Sequence, residues 1–374
     1  MIYFLGVLFA GYFLGILWMV LGVSRLSNFQ VMPLDKKTKF SILIPFRNEA
    51  QHLPKLIQSL SELSYPSGLF EIIWVNDASE DASEELVRNF LNQSSLRQQL
   101  FQNAPYSEAP KKDALTLAVK EASNEWIVTT DADCQVPSYW LHFLDNCIQQ
   151  ERPKMVAGPV MIDPVTDFEA SFQFWDFVSL QSVTWTGFGW NRPMLCNGAH
   201  LAFEKNVFFE VNGYEGNNAM ATGDDVFLMQ KFKQLYPRKI AYLKHPEAVV
   251  STSPVTSWKA IFQQRVRWAS KTRKMQSTPL HLLGVSAAFG NLGAILCFIS
   301  VFIWPLELPL FMGLLVTKLL IDTLFLSVMG RFFRKEISLL SLVGSVALYP
   351  FVFLWILWQS RWGTYAWKNR TFKK

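Results

Sequence analysis

The residues best placed for chemistry are Asp131 and Asp133, two carboxylates one alanine apart at the end of the apolar run Trp126-Ile-Val-Thr-Thr130. On an extended strand, residues i and i+2 point the same way, so the spacing predicts two oxygens converging on one hard cation. Such a cation prefers carboxylate oxygen and commonly shares its shell with substrate phosphates. An isolated Asp-x-Asp is more often a solvated turn or a helix cap. Its weight here comes from other polar clusters at the ends of predicted elements: Arg47-Asn-Glu49, Asn76-Asp-Ala-Ser-Glu-Asp81, Thr222-Gly-Asp-Asp225 and Gln264-Arg-Val-Arg-Trp268. On a helix, positions i, i+3 and i+4 share a face. Gln264, Arg267 and Trp268 therefore form one patch of an amide, a guanidinium and an aromatic plane.

The elements that must position these clusters read as an α/β domain. Phe40-Ser-Ile-Leu-Ile-Pro-Phe46 and Phe70-Glu-Ile-Ile-Trp-Val75 are buried-strand runs. Between them Leu53, Leu56, Ile57, Leu60 and Leu63 fall at helical spacing, and the pattern stops at Tyr65-Pro-Ser-Gly68. Further helices are predicted over 84–91 and 112–122, the second leading into the strand that ends at Thr130. Strand alternating with helix predicts a parallel sheet, whose ligands bind at the carboxyl ends of the strands. The polar clusters sit at those ends. Thr222 is the expected cap of a helix that buries Phe227, Leu228 and Phe232. No Gly-x-Gly-x-x-Gly follows any strand, which argues against a dinucleotide oxidoreductase. Cys134, Cys147, Cys196 and Cys297 show no zinc spacing.

Composition adds a membrane. Of 374 residues half are apolar, with 31 Phe and 14 Trp, too many for an ordinary soluble chain of this size. Residues 2–23 and 280–304 lack Asp, Glu, Lys and Arg, 308–329 carry only Lys318 and Asp322, and 338–358 are again uncharged. Each is long enough to span a hydrocarbon core of ~30 Å. Lys318 and Asp322 are spaced to neutralise each other. The first stretch lacks the flanks of a cleaved signal and reads as a retained anchor. The expected organisation is an anchor over 1–24, a domain over 25–279 and a membrane domain with a basic tail over 280–374. Basic residues flank the apolar stretches on one side, so the positive-inside tendency predicts a multi-pass protein of the cell membrane with a cytoplasmic domain. Four full crossings would leave the tail on the far side, and Pro350 marks the last stretch as the candidate for a re-entrant or interfacial piece. A net charge of +5 clustered beside apolar spans points to a membrane partner and to no nucleic acid.

The order of the clusters resembles the membrane-associated family 2 glycosyltransferases, with a GT-A nucleotide-sugar (Rossmann-like) domain and flanking transmembrane helices, one N-terminal and about three C-terminal. Ser41-Ile-Leu-Ile-Pro-Phe-Arg-Asn-Glu49 is similar to the family's opening strand. Val75-Asn-Asp-Ala-Ser-Glu-Asp81 is similar to its nucleotide-contacting turn, with Asn76 in place of aspartate and Ala78 in place of glycine. The resemblance implies nucleotide or donor contacts from Glu49, Asp77, Lys111 in Lys111-Lys-Asp-Ala-Leu115, Asp131, Gln264, Arg267 and Trp268. It implies Mg2+ or Mn2+ on Asp133 and Asp131, and a general base at Asp225, with Asp224 replacing the commoner glutamate. His200 is given no role. The implied activity is inverting transfer from a nucleotide sugar, a UDP-sugar by preference, to a lipid or lipid-linked acceptor. A processive polysaccharide synthase using the same site is the alternative, and a non-enzymatic membrane scaffold a more distant one. The stripe Phe168, Phe172, Trp175 and Val178, continued by Trp185, Phe188 and Trp190, suits an interfacial helix near a lipid acceptor.

Overall fold

In the computed structural model, the chain is described over residues 2–217, 222–272 and 274–360, with the backbone of 365–367 and 370–372 beyond them. Parts of the basic tail, Lys368, Asn369, Lys373 and Lys374, lie outside the described residues. A long apolar helix, α1 (Ile2–Arg25), opens the chain. Then come β1 (Phe40–Phe46), α2 (Leu53–Ser61), β2 (Phe70–Asn76), α3 (Ser83–Gln93), β3 (Gln98–Gln102), α4 (Pro110–Glu121) and β4 (Trp126–Thr129). β1 and β2 are apolar along nearly their whole length because both faces of the sheet are covered. α2 faces the sheet with Leu53, Leu56 and Leu60, the i, i+3, i+7 stripe of an amphipathic helix.

The next elements are β5 (Cys134–Gln135), α5 (Trp140–Glu151), β6 (Met155–Ala157), β7 (Val160–Ile162), α6 (Phe168–Gly189), β8 (Leu201–Glu204), α7 (Lys205–Glu210), α8 (Asp224–Leu235), β9 (Ile240–Tyr242) and β10 (Val250–Thr252). The main sheet has seven strands in the order β3-β2-β1-β4-β8-β6-β9. It is parallel across β3, β2, β1 and β4, but β8 runs antiparallel to both β4 and β6. The sheet is parallel, as expected, where strand alternates with helix, and becomes mixed at β8. β8 returns directly beside β4 and brings the segment before it, Asn197-Gly-Ala-His200, to the rim where β4 ends. β3 lacked a recognisable signal, since its sequence Gln-Gln-Leu-Phe-Gln is polar and half-exposed at the sheet edge.

Last come α9 (Trp258–Thr272), α10 (Thr278–Ile303), α11 (Leu308–Gly330), α12 (Leu339–Gln359) and a hairpin of β11 (Tyr365–Trp367) with β12 (Arg370–Phe372). Among the described residues, four helices are long and apolar enough to cross a membrane: α1, α10, α11 with its short extension, and α12. α12 runs through Pro350 without a break. In α11, Lys318 donates to Asp322 at 2.6 Å, the expected pair, and the hydroxyl of Tyr12 in α1 donates to the same carboxylate. The aromatic helix α6 is buried along most of its length between the sheet domain and the apolar helices. Trp190 just beyond it stacks on Trp18 of α1 with ring centroids 5.8 Å apart, and Arg25 covers the Trp190 ring at 3.6 Å.

Candidate active site

Asp131 and Asp133 lie in the turn that leaves β4, not on the strand itself. Strand alternation is therefore not what gathers them. The turn does so, bringing ligand atoms of Asp131, Asp133 and Cys134 within 4.8 Å of one another. Burial, then the charges of Asp131 and Glu49, push the Asp133 carboxyl up to about 6. Crowded carboxylates of this kind suit a hard divalent cation. Burial pushes the Cys134 thiol up as well, so it stays protonated and adds little to a site for Mg2+ or Mn2+. The donor set fits such an ion through its two aspartates.

Lys111 ties this turn to the second acidic cluster. Its ammonium lies 2.7 Å from Asp131 and 3.1 Å from Asp224. Burial alone would lower its pKa, but the two carboxylates outweigh that and hold it well above the usual lysine range. Lys111 stands in the first turn of α4, where Pro110 needs no hydrogen-bond partner for its nitrogen. Asn103, past the end of β3, fixes that helix start by donating to Pro110 O at 3.0 Å and to Asp77 Oδ1 at 2.8 Å. Lys112 turns inward, donates to Asn217 O at 2.9 Å, and is lowered to about 8 by burial, which Asp224 and Asp225 only partly offset.

Asp224 and Asp225 open α8. Gly223 precedes them at φ +81, a left-handed conformation that costs glycine nothing. No side chain caps this helix, so Thr222, buried nearby, does not have the capping role expected of it. Burial would raise Asp224, but Lys111, then Lys271 and Lys112, hold it below the usual carboxylate range. Asp225 Oδ1 accepts from the Val226 N–H at 2.7 Å and from Lys271 at 3.3 Å. Its Oδ2 has no hydrogen-bond partner among the described residues. Gly198 packs against both aspartates, since a Cβ there would come 3.3 Å from Asp224 Oδ2 and 3.5 Å from the Asp225 Cβ.

Lys271 belongs to α9, the helix of Gln264, Arg267 and Trp268. Spacings of four and seven residues put Arg267 and Gln264 on the helix face that carries Lys271. Trp268 packs edge-on to Phe177 of α6 at 5.4 Å, and Gln264 accepts from Arg265 at 2.5 Å. Glu49, whose charge acts on Asp133, pairs with His52 at 2.8 Å, and its backbone N–H donates to Ser83 Oγ at 2.7 Å. Asp77 is buried beside Asn103. Asn76 accepts from the Ser79 N–H and donates to Glu84 and Gln102. An aspartate could not donate those last two bonds, which explains the substitution. His200 is a core residue, fully buried against Trp140 and lowered to about 4 by that burial.

Sequence reasoning singled out neither Lys271 nor Asn103. A lysine in a basic helix and an asparagine after an edge strand carry no signal until the fold brings them to Asp225 and Asp77.

The stretch from β1 to β8, with the Asp-x-Asp turn inside it, matches the model of the glycosyl transferase family 2 domain over residues 41–203. The chain carries a family 2 glycosyltransferase domain. Asp224, Asp225 and α9 lie beyond that match. A relative in Bacillus subtilis described as a probable glycosyltransferase, YdaM, is 23% identical over 242 residues, 62% of this chain and 54% of its own. A beta-monoglucosyldiacylglycerol synthase of Trichormus variabilis is 27% identical over 112 residues, 30% of this chain and 24% of its own. The chain thus spans about half or less of the length of the curated relatives it matches. The solved mannosyltransferase PcManGT of Pyrobaculum calidifontis, in complex with GDP-Man and Mn2+, superposes with a TM-score of 0.61 at 15% identity over 96% of this chain and 98% of that one. The family 2 domain therefore has the GT-A fold, with long apolar helices on both sides of it.

Proposed function

We propose that the protein is an inverting glycosyltransferase that moves a sugar from a nucleoside-diphosphate sugar to a hydroxyl of a lipid or lipid-linked acceptor at the cytoplasmic membrane face. The observation that carries this reading is Lys111 bridging Asp131 to Asp224 while Lys271 engages Asp225. Sequence-distant acidic pairs thereby share one rim of the sheet, with the Gln-x-x-Arg-Trp helix beside them. Asp225 is the proton acceptor, because its Oδ2 is open and its Oδ1 is held in place. Lys271 and Arg267 face the charge that develops on the departing diphosphate. Asp131 and Asp133 would hold Mg2+ or Mn2+, which supplies further positive charge at that diphosphate. Glu49 and Asp77 line the nucleoside side. A single displacement inverts the anomeric centre.

The lipid acceptor is supported by α6, whose aromatic side chains join the sheet domain to the apolar helices, and by the likeness to a diacylglycerol-modifying relative. The reading keeps residues 1–24 as an anchor, 25–279 as the catalytic domain and 280–374 as the membrane domain. The test is turnover by the detergent-purified chain with UDP-sugars first, then GDP-sugars, with Mn2+ or Mg2+ and a lipid extract. The expected product is a lipid heavier by one sugar in mass spectrometry. A ladder of long products would replace this reading by the processive synthase, and absence of transfer and of donor hydrolysis would overturn it.

A further inference from the structure

Within Gln264-Arg-Val-Arg-Trp268, the arginine that the motif leaves unspecified is the deeply packed one. Arg265 is 5% exposed, and its guanidinium lies over the Trp268 ring at 4.3 Å. Its Nε donates to Asp176 of α6, and its Nη1 donates to Gln264 Oε1. Asp176 is itself 7% exposed. Tyr349 of α12 lies near the same carboxylate, and its ring packs on Phe172, one turn earlier in α6, with centroids 6.3 Å apart. Three elements far apart in sequence thus meet around one carboxylate, which Arg265 holds directly.

A buried ion pair is an inefficient source of stability, since removing both charges from water costs several kcal/mol per ion before their attraction repays it. What it supplies here is direction. The contacts of Ile261 and Phe262 on Phe172 and Trp355 are apolar and would tolerate a small rotation or slide of the helix. Such a shift would move Lys271 away from Asp225, because both belong to the same cleft and Lys271 has no other ion pair among the described residues.

We propose that Asp176, Arg265 and Tyr349 form a positioning clamp for α9, which sets the reach of Lys271 and Arg267 into the cleft. The clamp rests on the glycosyl-transfer reading above and acts without touching the reacting atoms. In the full chain in detergent, Asp176→Asn is expected to lower kcat by about 100-fold, the scale of a 1 Å misplacement, with donor affinity in calorimetry nearly unchanged. Asp176→Glu restores most of the rate. Tyr349→Phe, a milder change that keeps the ring, lowers kcat by about tenfold by the same reasoning. A second readout is independent of turnover: the rate of acylation of Lys271, followed by peptide mass spectrometry, rises in Asp176→Asn and Tyr349→Phe but not in Asp176→Glu. Wild-type kcat and Lys271 reactivity in both variants overturn the clamp. Equal losses of donor affinity and rate, with a lowered unfolding temperature that Asp176→Glu does not restore, overturn it as well. If the wild-type chain transfers no sugar, the function reading fails, and Lys271 reactivity alone decides the clamp.

Discussion

Lys111 has to serve two carboxylates at once, and a divalent cation at Asp131 would compete with it for one of them. Replacing Lys111 by Met leaves Asp131 and Asp224 facing each other without their shared counter-charge. The cation-free protein is then expected to unfold several degrees lower, with Mn2+ recovering more of the loss than in wild type; a scanning-fluorimetry series with and without Mn2+ measures both. Asp133 gives the pH dependence. An aspartyl group titrates near 3.9 in an unfolded chain and at about 6 here. Between those values the folded state binds the extra proton, so the cation-free protein loses stability as pH rises through that window. A cation favours the carboxylate and reverses the sign. Mn2+ should raise the unfolding temperature more at pH 7 than at pH 5, and an equal shift at both would remove Asp133 from the metal site. Ala78 holds φ +54 where the family resemblance expects glycine. Ala78→Gly should therefore stabilise this turn by ~1 kcal/mol, seen as a higher urea midpoint. Asp225→Asn is expected to keep donor binding and lose turnover, because only proton removal needs the carboxylate.

At the scale of elements, the family 2 domain and the first apolar helix meet where neither has a side chain. A Cβ on Gly189 of α6 would fall 1.8 Å from the backbone oxygen of Gly22, and one on Gly22 would strike the Trp190 ring and Thr186 at 2.6 to 2.8 Å. The two helices cross at these glycines, and Thr186 adds a hydrogen bond to Met19 O at 3.3 Å. Gly189→Val should therefore separate α1 from α6 and lower the unfolding temperature markedly, whereas Gly6→Val, with open space around it, should change little. A circular-dichroism melt of both variants checks this. Helix periodicity in α2 and the buried runs of β1 and β2 were legible because each element faces water on one side only or on none. β3 and the reversal of β8 were not. An edge strand needs few apolar residues, and strand direction is set by how the chain returns to the sheet, not by the residues within the strand.

Across the whole molecule, α12 packs on α10 and α11 and also on the helices α6 and α9. Ser171 of α6 donates to its Ser341, Phe172 packs on its Tyr349, and Phe262 of α9 packs on its Trp355. β11, after its end, lies beside α9 as well. An interfacial course for α12 would keep the basic tail on the side of the other basic flanks, whereas a full crossing would put it opposite them. A C-terminal tag is accordingly expected to be cleaved from the same side of sealed vesicles as the loop around Tyr106. Protection of the tag when that loop is cut would make α12 a full crossing.

The sequence alone carried the apolar helices, the alternation of strand and helix, and the acidic and Gln-x-x-Arg-Trp motifs, because each depends on residues within one turn or one strand. The tertiary structure decided which of these meet. Lys111 between Asp131 and Asp224, Lys271 on Asp225, and Arg265 on Asp176 are contacts between segments from about twenty to more than a hundred residues apart. Local patterning records which side of an element is buried. The partner it is buried against depends on chain reversals and helix crossings that no single segment encodes.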